Sequence, residues 1–414
     1  MKIYLLIPVL LLAMSFAGCG KVPQPINDES AAPTEFVSVK PVNNAECSMR
    51  QGDEAVDVFI KTGDLSGLKE AGVTDLDLSY SDVSDISGLA ELTNLKRLNL
   101  RGCANIKDIG ALAELTNLTT LALRECENIT DINALAGLDK LTWLDLNRCE
   151  KITDISALAG LEKLTSLDLS KCGDITDVSP LAGLNSLTCL YLGHLATDDI
   201  SALSGLTNLT ELNFRSCNIS DISALSGLTN LTCLTLNFCK NISDISPLAR
   251  LTNLTNLDLG MCSGVADISS LAGLTKLIAL NLSDCNQISD ISALSELTKL
   301  QNLNLHNCYL LSDVNALSGL SELVELNISL KPGEGATCLE RYGHSGISDI
   351  SGLAGLSRLE ELNMCCCEGI TDISVLAELT GLKKLYISYC VNISDFSPLD
   401  SLTVTELVTE GIEY

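Results

Sequence analysis

From Val73 to Tyr414 the hydrophobic positions of this chain follow one phrase about fourteen times, clearest in Leu141–Cys149 (LTWLDLNRC) followed by Glu150–Leu161 (EKITDISALAGL). The first leucines of successive units are Leu95, Leu118, Leu141, Leu164, Leu187, Leu209, Leu231, Leu254, Leu277, Leu300, Leu323, Leu359 and Leu382, at steps of 22 or 23 residues with one exception. Within a unit Leu144 and Leu146 alternate with Trp143, Asp145 and Asn147, the two-residue period of a short strand. The chain must then turn, and Cys149, Ile152, Ile155, Leu158 and Leu161 supply further inward side chains. At roughly 1.5–3 kcal/mol per buried aliphatic side chain, one unit gains too little to overcome roughly 1–2 kcal/mol per residue of lost backbone freedom. A single unit therefore does not fold alone, and the pattern predicts a stack of coils whose two ends need caps.

The phrase L-x-x-L-x-L-x-x-C-x-x-I-T/S-D-I-x-x-L-x-x-L resembles the leucine-rich repeat, and its closing I-x-D-I-S-x-L-x-x-L-T-N-L is similar to the bacterial internalin variety. The resemblance covers about four-fifths of the chain. It implies an α/β fold class: a right-handed solenoid, or horseshoe, with a concave parallel β-sheet and a convex side of short 3-10 pieces and turns. One departure stands out. Internalins usually carry Asn where this chain has Cys103, Cys126, Cys149, Cys172, Cys217, Cys239, Cys262, Cys285, Cys308, Cys367 and Cys390, a feature closer to cysteine-containing repeats of intracellular adaptors.

The front end reads differently. Residues 1–18 hold one early charge, Lys2, an apolar run and small residues before Cys19, the pattern of a signal peptide too short to span a membrane. Phe16-Ala17-Gly18-Cys19 resembles a bacterial lipobox, which implies lipidation of Cys19 and, with Gly20 next, transfer to the outer membrane in a Gram-negative cell. Residues 19–52 are a lipid anchor and flexible stalk, with Pro23, Pro25, Pro33 and Pro41 among polar residues. Residues 53–72 break the repeat, and the spacing of Val56, Phe59 and Ile60 predicts a helical N-terminal cap. Repeats are expected over 73–403, with an insertion at 331–346, and a C-terminal cap over 404–414. There Thr405, Glu406, Thr409 and Glu410 would blunt the last sheet edge, and no appended catalytic module is expected.

Charge and cysteine content narrow the functions. Acidic residues number 53 against 26 basic ones, a formal charge of −27 on a chain with 46% hydrophobic residues. Nucleic acid is thus a poor partner, since phosphate binding requires clustered Lys and Arg. Fourteen aspartates, from Asp85 to Asp395, recur at one repeat position just before the convex turn, where a carboxylate can accept backbone N–H groups that open a helical turn. A calcium ladder is the weaker reading, because calcium takes six to eight oxygens and each turn offers one conspicuous carboxylate. The eleven periodic cysteines read as buried free thiols that act as small hydrophobes and weak donors. Parallel Cβ vectors on adjacent coils disfavour disulfides, and Ser81 and Leu195 fill the same position, as packing allows and metal ligation does not. Cys189 and Cys233, two turns apart, are too distant for a bridge, while Cys338 and His344 share the insertion without a paired C-x-x-C spacing.

Outward strand positions are mostly Asn, Asp, Thr or Ser, ordinary for a face in solvent. Against them Trp143, Tyr191 and Phe238 read as exposed aromatics, with Arg97, Arg101, Arg124, Arg148, Lys171, His194 and Arg215 in strand or strand-end columns beside them. Aromatic and arginine anchors typify protein interfaces, so these ten residues are the candidate partner-binding patch. In the competing reading, Phe238 and Met261 tuck over the strand edge and the basic residues neutralise nearby acids. No H-E-x-x-H, phosphate loop or G-x-S-x-G occurs, and an enzyme is not expected, nor a cofactor or metal. The expectation is a monomeric, exported, lipid-anchored envelope protein that binds a protein partner. Alternatives are an acidic horseshoe inhibiting a basic secreted enzyme, and an envelope component holding cell-wall polymer.

Overall fold

A computed structural model describes residues 49–50, 52–330 and 346–409. The signal segment, Cys19, Cys47, residues 331–345 with Cys338 and His344, and residues 410–414 lie outside the described residues. Fifteen strands of three residues each, from Asp75–Asp77 to Glu406–Val408, form one parallel sheet in strict chain order. The register pairs the central leucines, so Leu121, Leu144 and Leu167 stand side by side. Between strands the return path is a short 3-10 turn such as Ser156–Leu158. The sheet is the concave face and the 3-10 turns the convex face of a leucine-rich repeat solenoid, as expected.

The core is one continuous column. Leu144, Leu146, Cys149, Ile152, Ile155, Leu158 and Leu161 are all 0–1% exposed, and the same positions are buried in coil after coil. Polar side chains tie each coil to the one before. Eight threonine hydroxyls, Thr119 to Thr405, donate to main-chain carbonyls one coil back at 2.9–3.1 Å. All eleven periodic thiols donate to the carbonyl of the inward residue of the preceding coil, as Cys149 does to Leu123, at 3.0–3.3 Å. Fifteen described cysteines are free, and burial raises the pKa of Cys126 to about 12. These thiols are therefore inert packing groups.

All fourteen periodic aspartates accept the backbone N–H two residues on, at 2.7–3.1 Å. Each makes an Asx turn one residue ahead of the 3-10 cap residue, not the helix cap itself. After thirteen of the fifteen strands the chain passes through a left-handed residue. Twelve coils put a non-glycine there, including Tyr80, Arg148, Lys171, His194, Phe238, Met261 and Tyr389, with φ between 55° and 66°. Gly102, with φ 71°, holds this position in one coil, and a Cβ there would meet the Tyr80 ring at 2.4 Å.

The two ends are built differently from the coils between them. Helices α1 (Glu54–Thr62) and α2 (Ser66–Glu70) seat Val56, Phe59 and Leu68 on the first coil. Met49, placed in the stalk by the sequence reading, instead pairs with the first strand: its N–H reaches Asp75 O at 3.2 Å and its carbonyl accepts Asp77 N at 2.9 Å. At the other end Glu406–Val408 continues the sheet as a full strand, and Leu407 is 41% exposed because no further described coil packs on it.

Candidate partner-binding face

The ten predicted residues lie on the sheet face or its rim, but in four different columns. Arg97 and Trp143 open their strands, and Tyr191 closes one. Arg101, Arg124 and Arg215 lie three residues after the strand's central leucine, while Arg148, Lys171, His194 and Phe238 occupy the left-handed rim position. Arg148, His194 and Phe238 are exposed, and Trp143, Lys171 and Arg215 half-buried.

Several of the basic side chains already have acidic partners. Arg97 meets Asp75 at 2.5 Å; Arg101 and Arg124 both reach Glu125, at 3.3 and 3.2 Å. Arg101 also lies over the Tyr80 ring, 5.4 Å from its centroid. Lys240 covers Phe238 at 4.3 Å, yet that ring remains 40% exposed. Carrying Phe238 or Met261 at positive φ costs roughly 1–2 kcal/mol relative to the right-handed region, so these coils spend backbone strain on an exposed apolar rim.

Tyr191 corrects the sequence reading. It is 8% exposed, not an exposed aromatic, because its ring lies down on the face and its hydroxyl donates to Glu211 Oε2 at 2.6 Å. The polar third residues of the strands are also not solvent-facing. Asp77, Asp145, Asp168 and Asp258 are 5–8% exposed, since strands about 4.8 Å apart on a curved sheet let neighbouring side chains shade one another. Asp145 and Asp168 are register partners on adjacent strands. Burial, then the charge of Asp168, pushes the Asp145 pKa up to about 7, and burial raises that of Asp168 too, against the hydrogen bonds it accepts. Around this pair Trp143 Nε1, Ser166 Oγ and Asn147 Oδ1 are covered from solvent and have no hydrogen-bond partner. Sequence reasoning missed Asp145, Asp168, Ser166 and Asn147; the signal available was Asp beside Asp at a strand position that elsewhere takes Asn.

Cys189 and Cys233 flank Glu211 in register on the same face and remain separate thiols. Among the described residues no three His, Cys, Asp or Glu side chains come together as metal ligands would. His194 and His306 sit on different coils.

A family model described as leucine-rich repeats in two copies matches residues 93–137, 139–181, 207–250 and 251–296. The crystal structure of internalin InlF from Listeria monocytogenes is 31% identical, over 86% of this chain and 93% of that one, with a TM-score of 0.66. The chain belongs to the internalin-like leucine-rich repeat family. The functional domain of InlJ from Listeria monocytogenes, described as including a cysteine ladder, is 23% identical over 80% of this chain and 71% of that one, with a TM-score of 0.57. A leucine-rich repeat protein of Leptospira interrogans is 18% identical over 85% and 98%, with a TM-score of 0.57. These two share the fold. No curated protein matches the chain. In this internalin-like chain the ladder of eleven thiols donates to main-chain carbonyls of the preceding coils.

Proposed function

We propose that this internalin-like chain is a non-catalytic binding protein of the bacterial envelope, tethered through Cys19 and the 19–52 stalk, that holds a protein partner against the first half of its concave face. Leucine-rich repeats of this type suggest protein–protein interaction. Internalin-like relatives are surface or secreted bacterial proteins, which agrees with the lipobox-like front end. The observation that carries the reading is Trp143, half-exposed in mid-sheet with Arg148 and Lys171 on the rim of its own and the next coil. Such aromatic and basic anchors are what interface cores use, and a rigid sheet presents them without ordering cost.

Alanine at both Trp143 and Arg148 tests it. Attachment to cells or to captured partners falls at least tenfold, about 1.4 kcal/mol, with circular dichroism unchanged. Unchanged attachment by the folded variant ends the proposal. A second reading has one observation behind it: Glu325 and Glu361 share the C-terminal sheet face, and the half-buried Glu325 leaves Oε2 without a partner. A basic secreted enzyme held there would release steeply as salt rises, and partner capture indifferent to salt removes that reading.

A further inference from the structure

The polar atoms around Trp143 form a set of their own. Its indole N–H is a donor, the Asn147 Oδ1 an acceptor, and the Ser166 hydroxyl either; all three are buried and unpaired. Ser166 is more than nine-tenths buried and stands in register beside Trp143 on the next strand. The Asn147 amide is oriented by its own Nδ2, which donates to Asp168 Oδ2 at 3.1 Å, so its oxygen is left as the acceptor. A buried polar atom without a partner costs roughly 1–3 kcal/mol. Three on two adjacent coils are a standing demand for something that supplies both donors and acceptors.

Charge limits what that is. Glu125, Asp145 and Asp168 oppose Arg101 and Arg124 across this part of the face, with Arg148 and Lys171 on its rim. An anion would meet two buried carboxylates and a cation the surrounding bases, so a neutral group is favoured. Shape limits it further. The register partners of Trp143 are Thr120 and Ser166, and Ala122 lies beside Asp145. The indole's register neighbours are thus small side chains and Trp143 keeps part of its surface exposed, whereas a protein hot spot packs its aromatic in a tight desolvated pocket.

We propose that Trp143, Ser166 and Asn147 form a subsite for a neutral sugar ring, which stacks on the indole and places its hydroxyls on the three unpaired atoms. This deepens the docking proposal, on which it rests: the sugar is either carried by the protein partner as a glycan or belongs to a cell-wall polysaccharide, and the ring chemistry is the same. Hydroxyls are matched to the site because each can donate to Asn147 and accept from Trp143.

Trp143 is the chain's one tryptophan, so its fluorescence reads this subsite alone. The full chain is titrated with tetrasaccharides of glucose, galactose, mannose and N-acetylglucosamine. At least one shifts the emission saturably, Ser166→Ala weakens that binding about five- to tenfold, and Trp143→Ala abolishes its heat in calorimetry. Capture of a glycoprotein that is lost after enzymatic deglycosylation assigns the partner-borne source, and binding of isolated wall polysaccharide the other. Emission unmoved by all four at about 10 mM overturns the subsite, as does an affinity that Ser166→Ala leaves unchanged. If the emission answers only to unglycosylated protein, the subsite falls and the docking proposal stands. If sugar binds while the Trp143/Arg148 double variant still captures its protein partner, the docking proposal fails instead.

Discussion

Two columns of side-chain turn acceptors run along this solenoid, one on each face, and they perform the same backbone task in different surroundings. On the convex side all fourteen are aspartates, thirteen of them exposed and Asp313 half-buried, each accepting the N–H two residues ahead. On the sheet face ten residues make the same turn at 2.8–3.1 Å, but six of them are asparagines: Asn99, Asn213, Asn281, Asn304, Asn327 and Asn363. In water a full charge on the acceptor is free of desolvation cost, and aspartate serves everywhere. Under neighbouring side chains a charge is expensive, and the neutral amide serves at six of the ten positions, although all four aspartates are buried and Asn213, Asn281 and Asn304 only half-buried. The four aspartates that remain on the sheet face are therefore not required by the turn, and two of them, Asp145 and Asp168, adjoin Trp143.

The largest expected effect comes from removing the acceptor altogether. Asp258 takes Gly260 N–H at 2.9 Å and the amides of Asn281 and Asn237 at 2.8 and 3.3 Å. Asp258→Ala leaves one buried and two half-buried donors unanswered and lowers the unfolding free energy by about 3 kcal/mol. Asp221→Ala, its exposed counterpart, frees one N–H that water can reach and lowers it much less. Chemical denaturation of the two variants measures the gap. Equal losses would mean that burial is not what separates the columns.

Charge can next be separated from hydrogen bonding. Asp145→Asn keeps an acceptor for Asn147 N–H, as the asparagines of other coils do, and removes the buried charge. Because the folded pKa of Asp145 is raised to about 7 from an ordinary 3.8, the folded state holds a proton that the unfolded state has lost between those values. Its contribution thus turns unfavourable as pH rises from about 4 to about 7. The variant is expected to be more stable than the parent by a few kcal/mol at most above pH 7, with the difference vanishing near pH 4. A difference that does not change with pH would show that Asp145 is ionised throughout and stabilised by Arg124.

Legibility from sequence followed translational symmetry. The central leucines, the thiol column and the convex aspartates repeat with the coil, so one unit's pattern predicts the burial of every other. What broke the symmetry was hidden. Tyr191 and Asp145 read as solvent-facing because alternation along a strand says which face a side chain leaves, not how far its neighbours on adjacent strands shade it. The left-handed rim was also invisible, since it is marked by Arg148, His194 and Phe238 where glycine is the usual signal. Met49 paired with the first strand although nothing in its polar surroundings announces a strand; the open edge of Asp75–Asp77 supplies the partner.

The smallest effect tests the exposed column from the acid side. For eleven of its members, among them Asp154, Asp199, Asp244 and Asp290, the backbone and side-chain hydrogen bonds of the serine two residues on hold the carboxyl below its ordinary pKa. The sign is opposite to that of Asp145. A depressed pKa gives stability that is complete above the unfolded value near 4 and is lost as pH falls through the folded one. Asparagine at Asp154, Asp199, Asp244 and Asp290, on alternate coils too far apart to couple strongly, preserves the turns while removing four of these titrations. Thermal melts should then give a Tm below the parent's at pH 7, a smaller drop between pH 5 and pH 3, and convergence of the two at the acid end. If the acid limb keeps the parent's slope, the convex carboxylates act only as turn acceptors, and the two faces differ in burial but not in how they couple folding to protons.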